Sequence, residues 1–214
     1  MGLTVHPETM QDKEVADDDD YITKELHNYM YQVANPDFQL IEGVHEDFVK
    51  QEWIERLIGD RNPGIAWRER PEVWEEFLER DLKQMKNVTK TGKFSYTYSQ
   101  RIGGKHIQRV IDELQVHPHS RQLFIPMWRE IDERRRGRQR VPCTLGYHVI
   151  QRKRKLHMTY LMRSCDFITH FPNDVALASM LQHHIAEETG YNVGTFTHYI
   201  SSLHVYAKDV KGAF

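Results

Sequence analysis

The chain has 214 residues, 39% apolar and 28% charged, with a formal net charge of -2 at pH 7. That composition fits one soluble globular domain with a genuine core, and a balance so near neutral gives no nucleic-acid signature. No apolar run approaches the roughly 20 residues that cross a bilayer, the N-terminus lacks a basic-then-apolar leader, and Cys143 and Cys165 show no zinc-type spacing. A cytoplasmic protein with reduced thiols, no membrane contact and no metal is therefore expected.

In chain order, the first twenty residues end in Asp17-Asp18-Asp19-Asp20 and read as a loose acidic arm, leaving 21–214 as a single domain. Helices are expected from Tyr21 to about Val33 and from about His45 to Ile58, the second closed by Gly59. The second places Phe48, Val49, Trp53 and Leu57 on one stripe, and Glu52 and Arg56 fall on that same stripe. A third helix opens at Pro71, a residue suited to a first turn, and spaces Trp74, Phe77, Leu78, Leu82 and Met85 helically. Residues 86–94 read as a loop. Ile107, Val110, Ile111 and Leu114 mark a fourth helix that stops near His117-Pro118. From Arg121 the pattern turns to strands: Arg121 to Trp128, then a hairpin of Thr144 to Ile150 and Leu156 to Met162 around the polar turn Arg152-Lys153-Arg154-Lys155. A long helix from Asn173 to Thr189 stops at Gly190, and a last strand runs from Thr195 to Tyr206. Helices first, then mostly sequential strands around one long helix, predict an α+β fold.

Five clusters carry candidate chemistry. Glu52 on an apolar stripe must be paired, protonated or employed; a Glu52–Arg56 pair at the edge of the core is the plain alternative. Cys143 follows Pro142 and the basic stretch Arg134 to Arg140, and neighbouring positive charge would lower its thiol pKa; a buried inert cysteine is the alternative. Arg163-Ser164-Cys165-Asp166 offers a guanidinium fork and a hydroxyl suited to phosphate, or an Arg163–Asp166 surface pair. Asn173 and Asp174 open the long helix, where a capping role would explain them. His204 and Tyr206 share one strand face and together suit a sugar hydroxyl, or pack as a core pair.

Read in order, these clusters resemble the thymidylate synthase family over roughly residues 50 to 207. The most specific stretches are Ser120-Arg121, Pro142-Cys143, Arg163 to Asp166, Pro172-Asn173-Asp174 and Leu203-His204-Val205-Tyr206. The run Glu52 to Asp60 resembles the family's glutamate-bearing helix with its Gly-Asp ending. The resemblance implies a mixed sheet packed with helices and a sheet-to-sheet homodimer. It implies that Cys143 adds to C6 of a pyrimidine nucleotide and that C5 then attacks the methylene of 5,10-methylenetetrahydrofolate. Glu52 would order water and assist proton transfers, with Tyr98 near the C5 proton. Arg163 and Ser164 would bind the 5′-phosphate, joined by Arg121 from the partner subunit. His204 and Tyr206 would contact the sugar 3′-hydroxyl, and Trp74 and Asp166 would face the folate.

The departures point to a branch. Gln122 stands where the family has a second phosphate arginine, and the acidic arm occupies the place of the N-terminal phosphate loop. Thr144 replaces the histidine after the nucleophile, and Asp174 replaces the asparagine that reads uracil. The last two changes resemble the deoxycytidylate hydroxymethylases, as do Met162-Arg163-Ser164 and Ser202 to Tyr206. A carboxylic group can accept from N4 of cytosine and, when protonated, donate to N3. The chain ends at Phe214, soon after the last strand, where synthases carry a closing tail, and this favours water over hydride as the trap. The resemblance thus implies 5-hydroxymethylation of dCMP or CMP. The rivals are a C5-methylating enzyme acting on dUMP or dCMP and a catalytically weak member that binds nucleotide or RNA.

Overall fold

A computed structural model of the chain describes residues 2–10, 13–37, 41–84, 93–133, 140–210 and 212. Its centre is a six-stranded sheet in the order β1-β4-β8-β7-β6-β5. The strands are β1 (Leu3–Val5), β4 (Thr23–Ala34), β5 (Leu123–Pro126), β6 (Thr144–Arg152), β7 (Lys155–Asp166) and β8 (Asn192–Tyr206). A separate small hairpin joins β2 (Thr9–Met10) to β3 (Lys13–Glu14). All pairings in the large sheet are antiparallel except β7 with β8, which is parallel. Parallel neighbours need a crossover, and helix α5 (Phe171–Thr189) supplies it. The other helices are α1 (Glu46–Ile58), α2 (Pro71–Gln84), α3 (Tyr98–Val116) and the single turn α4 (Glu130–Glu133).

One face of the sheet is the core. Strand alternation turns Tyr147 and Val149 of β6, Met158, Tyr160 and Met162 of β7, and Phe196 and Ile200 of β8 to the same side, where all are buried. Ile107, Val110, Ile111 and Leu114 of α3 and Ala178, Leu181 and Ile185 of α5 cover them. Each such side chain contributes about 1.5–3 kcal/mol of apolar burial, which is why these helices stay on the sheet. The mixed α+β architecture is the one expected from the sequence, and the hairpin, α1 and α3 fall where their patterns put them. Residues 85–92, which cover Met85 and most of the expected loop, and 134–139 of the basic stretch lie outside the described residues.

Two local expectations are corrected. The expected helix from Tyr21 to Val33 is strand β4, aligned with β8 from Thr23↔Tyr206 to Ala34↔Thr195. The acidic arm is folded against the rest: β1 pairs with the start of β4, and Asp18 accepts from the backbone of Asp20 to open a short 3-10 turn, Asp19–Tyr21. Helix α5 also begins earlier than expected. His170 is its N-cap residue, so Asn173 and Asp174 lie inside the first turns and neither is the cap.

Candidate active site

A cavity of ≈ 290 Å³ opens where β6, β7, β8 and the start of α5 meet α1, α2 and the start of α3. Cys143 lies in the extended stretch just before β6. Its backbone N–H and that of Thr144 both donate to the Tyr98 hydroxyl oxygen, each at 3.2 Å. Tyr98 is placed there because Thr97 caps α3 through a capping box with Gln100. With its oxygen accepting two N–H groups, the phenol keeps its own proton for a third partner.

Arg163 braces the Cys143 segment from β7. Its Nε donates to Pro142 O at 2.8 Å and its Nη2 to Val141 O at 3.1 Å, and Nη2 lies 3.8 Å from Cys143 Sγ. Burial raises the Cys143 thiol pKa, and Arg163 and then Arg140 oppose that rise. The net shift is upward, which corrects the expectation that nearby basic residues would lower it: desolvation, with the Asp174 carboxylate adding, outweighs the two guanidinium groups.

Glu52 and Arg56 are paired, with Arg56 Nε donating to Glu52 Oε1 at 3.0 Å, yet both line the cavity. The plain reading of the pair and the functional one thus describe the same residues. Burial lifts the Glu52 pKa, and Arg56 holds part of that rise back. Asp174 enters from α5 and is pushed up to about 7, first by burial, with Arg56 opposing and the Glu52 and Asp166 carboxylates adding.

The end of β7 supplies Ser164 and Asp166. Asp166 Oδ1 accepts from the N–H groups of Ile168 and Thr169, both at 3.0 Å, and so shapes the turn into α5. Parallel pairing aligns Asp166 with His204 on β8. The His204 ring meets Tyr206 edge-on at 5.1 Å, and burial depresses its pKa against the pull of Asp166. Asn173 ties the floor to α1 by accepting from the His45 backbone N–H at 2.8 Å.

The opposite wall is aromatic. Trp74 stacks on Phe48 (6.2 Å, 15°) and is flanked by Phe77, Phe94 and His170. The Arg140 guanidinium sits over Trp74, Phe77, Phe94 and Tyr96 at 4.6–5.6 Å from their centroids. The wall is pinned at its base by Asn62, which exchanges two 2.8 Å hydrogen bonds with the Phe94 backbone. Glu55 accepts from the Ile65 and Ala66 N–H groups at 2.5 and 2.9 Å. Gly64, at φ +69, leaves that carboxylate the room a Cβ would occupy. The indole N–H groups of Trp67 and Trp74 are buried without a hydrogen-bond partner among the described residues.

Of the residues singled out from sequence, Cys143, Glu52, Asp174, Tyr98, Ser164, Asp166, His204, Tyr206 and Trp74 line one cavity. Arg163 reaches its thiol from behind. Arg121 is exposed and outside the cavity, with its carbonyl accepting from His148 Nε2. Sequence reading missed Arg140, His170 and the lysines of the mouth, Lys13 and Lys208. Arg140 was visible only as the last member of a basic run. His170 lies one helical turn before Asp174, and burial holds its pKa near about 4. Among the described residues no cluster of His, Cys, Asp or Glu suits a metal, and no helix is long and apolar enough to cross a membrane.

The family described as Thymidylate synthase matches residues 10–213. A protein of Methanosarcina barkeri named "Putative thymidylate synthase" is 34% identical over 167 residues, 73% of this chain and 71% of its own. One of the same name from Methanocaldococcus jannaschii is 26% identical over 212 residues, 94% of this chain and 83% of its own. The crystal structure of thymidylate synthase from T4 phage superposes with a TM-score of 0.71 at 20% identity, over 86% of this chain and 68% of that one, which is a likeness of fold. The chain belongs to the thymidylate synthase family, whose members transfer a one-carbon unit to a nucleotide with methylenetetrahydrofolate as co-substrate.

Proposed function

We propose that this chain hydroxymethylates C5 of a cytosine nucleotide monophosphate, dCMP or CMP. In this reading the Cys143 thiolate adds to C6, and C5, now a carbanion equivalent, bonds to the methylene carbon of the folate. Loss of the C5 proton and expulsion of tetrahydrofolate leave an exocyclic methylene. Water adds to that carbon as the thiolate leaves C6, giving the 5-hydroxymethyl nucleotide. Glu52 orders the water and relays protons, and Tyr98 handles the C5 proton. Arg163 and Ser164 hold the phosphate, and His204 with Tyr206 holds a sugar hydroxyl. In a sheet-to-sheet homodimer Arg121 reaches the partner's phosphate, a use its exposed position outside its own cavity supports. Trp74 and Asp166 face the folate. The flat rings around Trp74 and the two unmatched indole N–H groups suit a planar ring system rich in heteroatoms.

The observation that carries the cytosine assignment is Asp174, a carboxyl group pushed up to about 7 at the cavity floor. Its acid form can donate to N3 of cytosine while its carbonyl oxygen accepts from N4. Against uracil, the ionised carboxylate accepts from N3–H but faces O4 with no donor to offer and with repulsion added. A second reading, C5 methylation, is favoured by the names of the relatives. Incubation with methylenetetrahydrofolate and each of CMP, dCMP, UMP and dUMP, followed by mass analysis of the product, separates them. A gain of CH2O on a cytosine nucleotide supports hydroxymethylation. A gain of CH2 on a uracil nucleotide replaces it with methylation, and binding without product leaves a nucleotide-binding member of the fold.

A further inference from the structure

Helix α1 carries a charge pair on a stripe that is otherwise apolar. Phe48 and Val49 of that stripe are buried in a cluster with Ala66, Ala176 and Leu177, and Arg56, two turns after Val49, is buried as deeply. Replacing a buried ion pair by apolar side chains of similar volume is often neutral or stabilising, so packing alone does not account for the pair. What it touches does. Arg56 Nε donates to Glu52 Oε1 at 3.0 Å, and Arg56 Cζ lies 5.3 Å from the centroid of the Tyr98 ring. The hydroxyl of that ring accepts from the Cys143 and Thr144 N–H groups, and Thr144 Oγ1 meets Tyr160 Oη at 2.8 Å. Tyr160 stacks on Tyr147 at 4.7 Å, and both phenols are close enough to feel the Arg56 charge. One guanidinium thus joins Glu52 to the frame of oxygens behind Cys143.

Two carboxyls of the floor share this cation. Glu52 touches it, whereas among the described residues no hydrogen bond reaches the Asp174 carboxyl. A buried site with one positive charge tolerates one carboxylate far better than two. Resting on the proposed reaction, we propose that Arg56 is a positioning residue that gives the two carboxyls opposite states: it keeps Glu52 ionised, ready to take a proton from the attacking water, and leaves the acid form to Asp174, which reads cytosine. In that step the water oxygen bonds to the exocyclic methylene carbon and its proton passes to Glu52. The π pair closes C5=C6, and the C6–S bond breaks to return the Cys143 thiolate. Burial pushes both carboxyls up, and Arg56 is the largest opposing influence on each. The remaining charges around them are spoken for. Glu55 accepts from the Ile65 and Ala66 N–H groups, and Asp166 from those of Ile168 and Thr169. Arg70 donates to Thr169 O at 2.9 Å and pairs with Glu72, and Arg140 lies over four rings. Tyr98 of α3, Tyr147 of β6, Tyr160 of β7, Cys143 and Cys165 also face Asp174, but burial raises all five and they stay neutral. His170 and His204 are neutral as well, since burial lowers both.

The test is the pH profile of turnover. In wild-type protein kcat rises on the acid side as Glu52 ionises, and kcat/KM falls on the alkaline side as Asp174 does. Arg56→Gln removes the cation that both feel, so both limbs should move to higher pH. Just below neutrality kcat should fall roughly a hundredfold, the order that a placed proton-transfer group contributes, and the deficit should narrow as pH rises. Arg56→Lys keeps a charge and should keep both limbs near their wild-type positions. Arg56→Met, unbranched and apolar like its stripe, carries the same expectation as Arg56→Gln where the glutamine variant folds poorly. A uniform loss with both limbs unmoved, or variants that unfold outright, makes Arg56 a packing residue and overturns the proposal. The acid limb needs only one-carbon transfer to some pyrimidine nucleotide, whereas the alkaline limb needs the cytosine reading. Turnover of uracil nucleotides alone therefore overturns that reading while the acid limb still decides Arg56. Wild-type protein that turns over no nucleotide overturns both.

Discussion

The floor of the cavity and its aromatic wall are held together differently. On the floor nearly every polar group answers to another: Cys143 and Thr144 to Tyr98, Arg163 to Val141 and Pro142, Asp166 to its own turn, Asn173 to His45. Such a lattice fixes atoms to within fractions of an ångström, as bond-making requires. The wall is rings against rings around Arg140, with two indole N–H groups unmatched. Ring contacts are less directional than hydrogen bonds, so the wall can adapt to a flat ligand. In the proposed function, this contrast gives chemistry to the floor and recognition to the wall.

Substitutions on the two sides should therefore fail differently. The largest effect belongs to Cys143→Ser, which should abolish product formation while equilibrium binding of the nucleotide stays measurable; normal turnover would remove the covalent step. Asp174→Asn comes next. A mismatched polar group in a closed site costs about 1–3 kcal/mol, so preference for cytosine over uracil nucleotides should fall roughly tenfold to a hundredfold in kcat/KM. An unchanged ratio would sink the cytosine assignment.

Asp174 also carries a pH signature. Its carboxyl is raised from 3.8 to about 7, so the native state holds a proton that the unfolded chain has already released. Stability therefore falls as pH rises across that window and levels off above about 7. The same ionisation removes the donor to N3, so kcat/KM on the cytosine nucleotide should decline as pH passes about 7. Asp174→Asn should flatten both trends, which thermal melts and initial rates at several pH values would reveal.

Tyr98→Phe removes the acceptor of the Cys143 and Thr144 backbone N–H groups. At about 1 kcal/mol per neutral hydrogen bond, kcat should drop by roughly tenfold with little change in nucleotide KM. The smallest effect belongs to the wall. Trp74→Phe keeps an aromatic ring beside Phe48 but loses the indole N–H and part of the ring surface, so folate KM should rise a few-fold while kcat holds. A large fall in kcat there would erase the distinction between wall and floor.

The floor was the more legible part of the sequence. Ser164 and Asp166 follow the period of two along β7, and His204 and Tyr206 follow it along β8, so a strand pattern was enough to bring them to one side. The wall was harder to read because Arg140 is positioned by rings from α2 and from residues 94–96, contacts that leave no period in the chain. Strand β4 was misread for a related reason. Leu26, Tyr29, Met30 and Val33 recur at helical spacing, yet all four are exposed, and the strand shows no alternation because neither face is consistently buried. What makes it a strand is its long ladder with β8, a tertiary cause that overrides local pattern. The α5 boundary slipped because a histidine, an unremarkable residue in sequence, serves as its N-cap.

One irregularity in the sheet has a consequence for how freely this chain can change length. The β6–β7 register shifts between Thr144 and Gly146, immediately after Cys143. There Gly146 has no space for a side chain: a Cβ would meet Phe124 and the Ile125 carbonyl at 2.5 and 2.6 Å. Beyond the shift, odd-numbered Tyr147, Val149 and Gln151 are buried, and before it the buried residue is Thr144. A single deletion at Leu145 would reverse the facing of everything upstream relative to Tyr147, exchanging Cys143 with Thr144 across the sheet. Point substitutions along this strand can be absorbed by local repacking, whereas a gain or loss of one residue there would turn the thiol away from its substrate. Libraries that vary length should tolerate insertions in surface turns and return none between Cys143 and Tyr147.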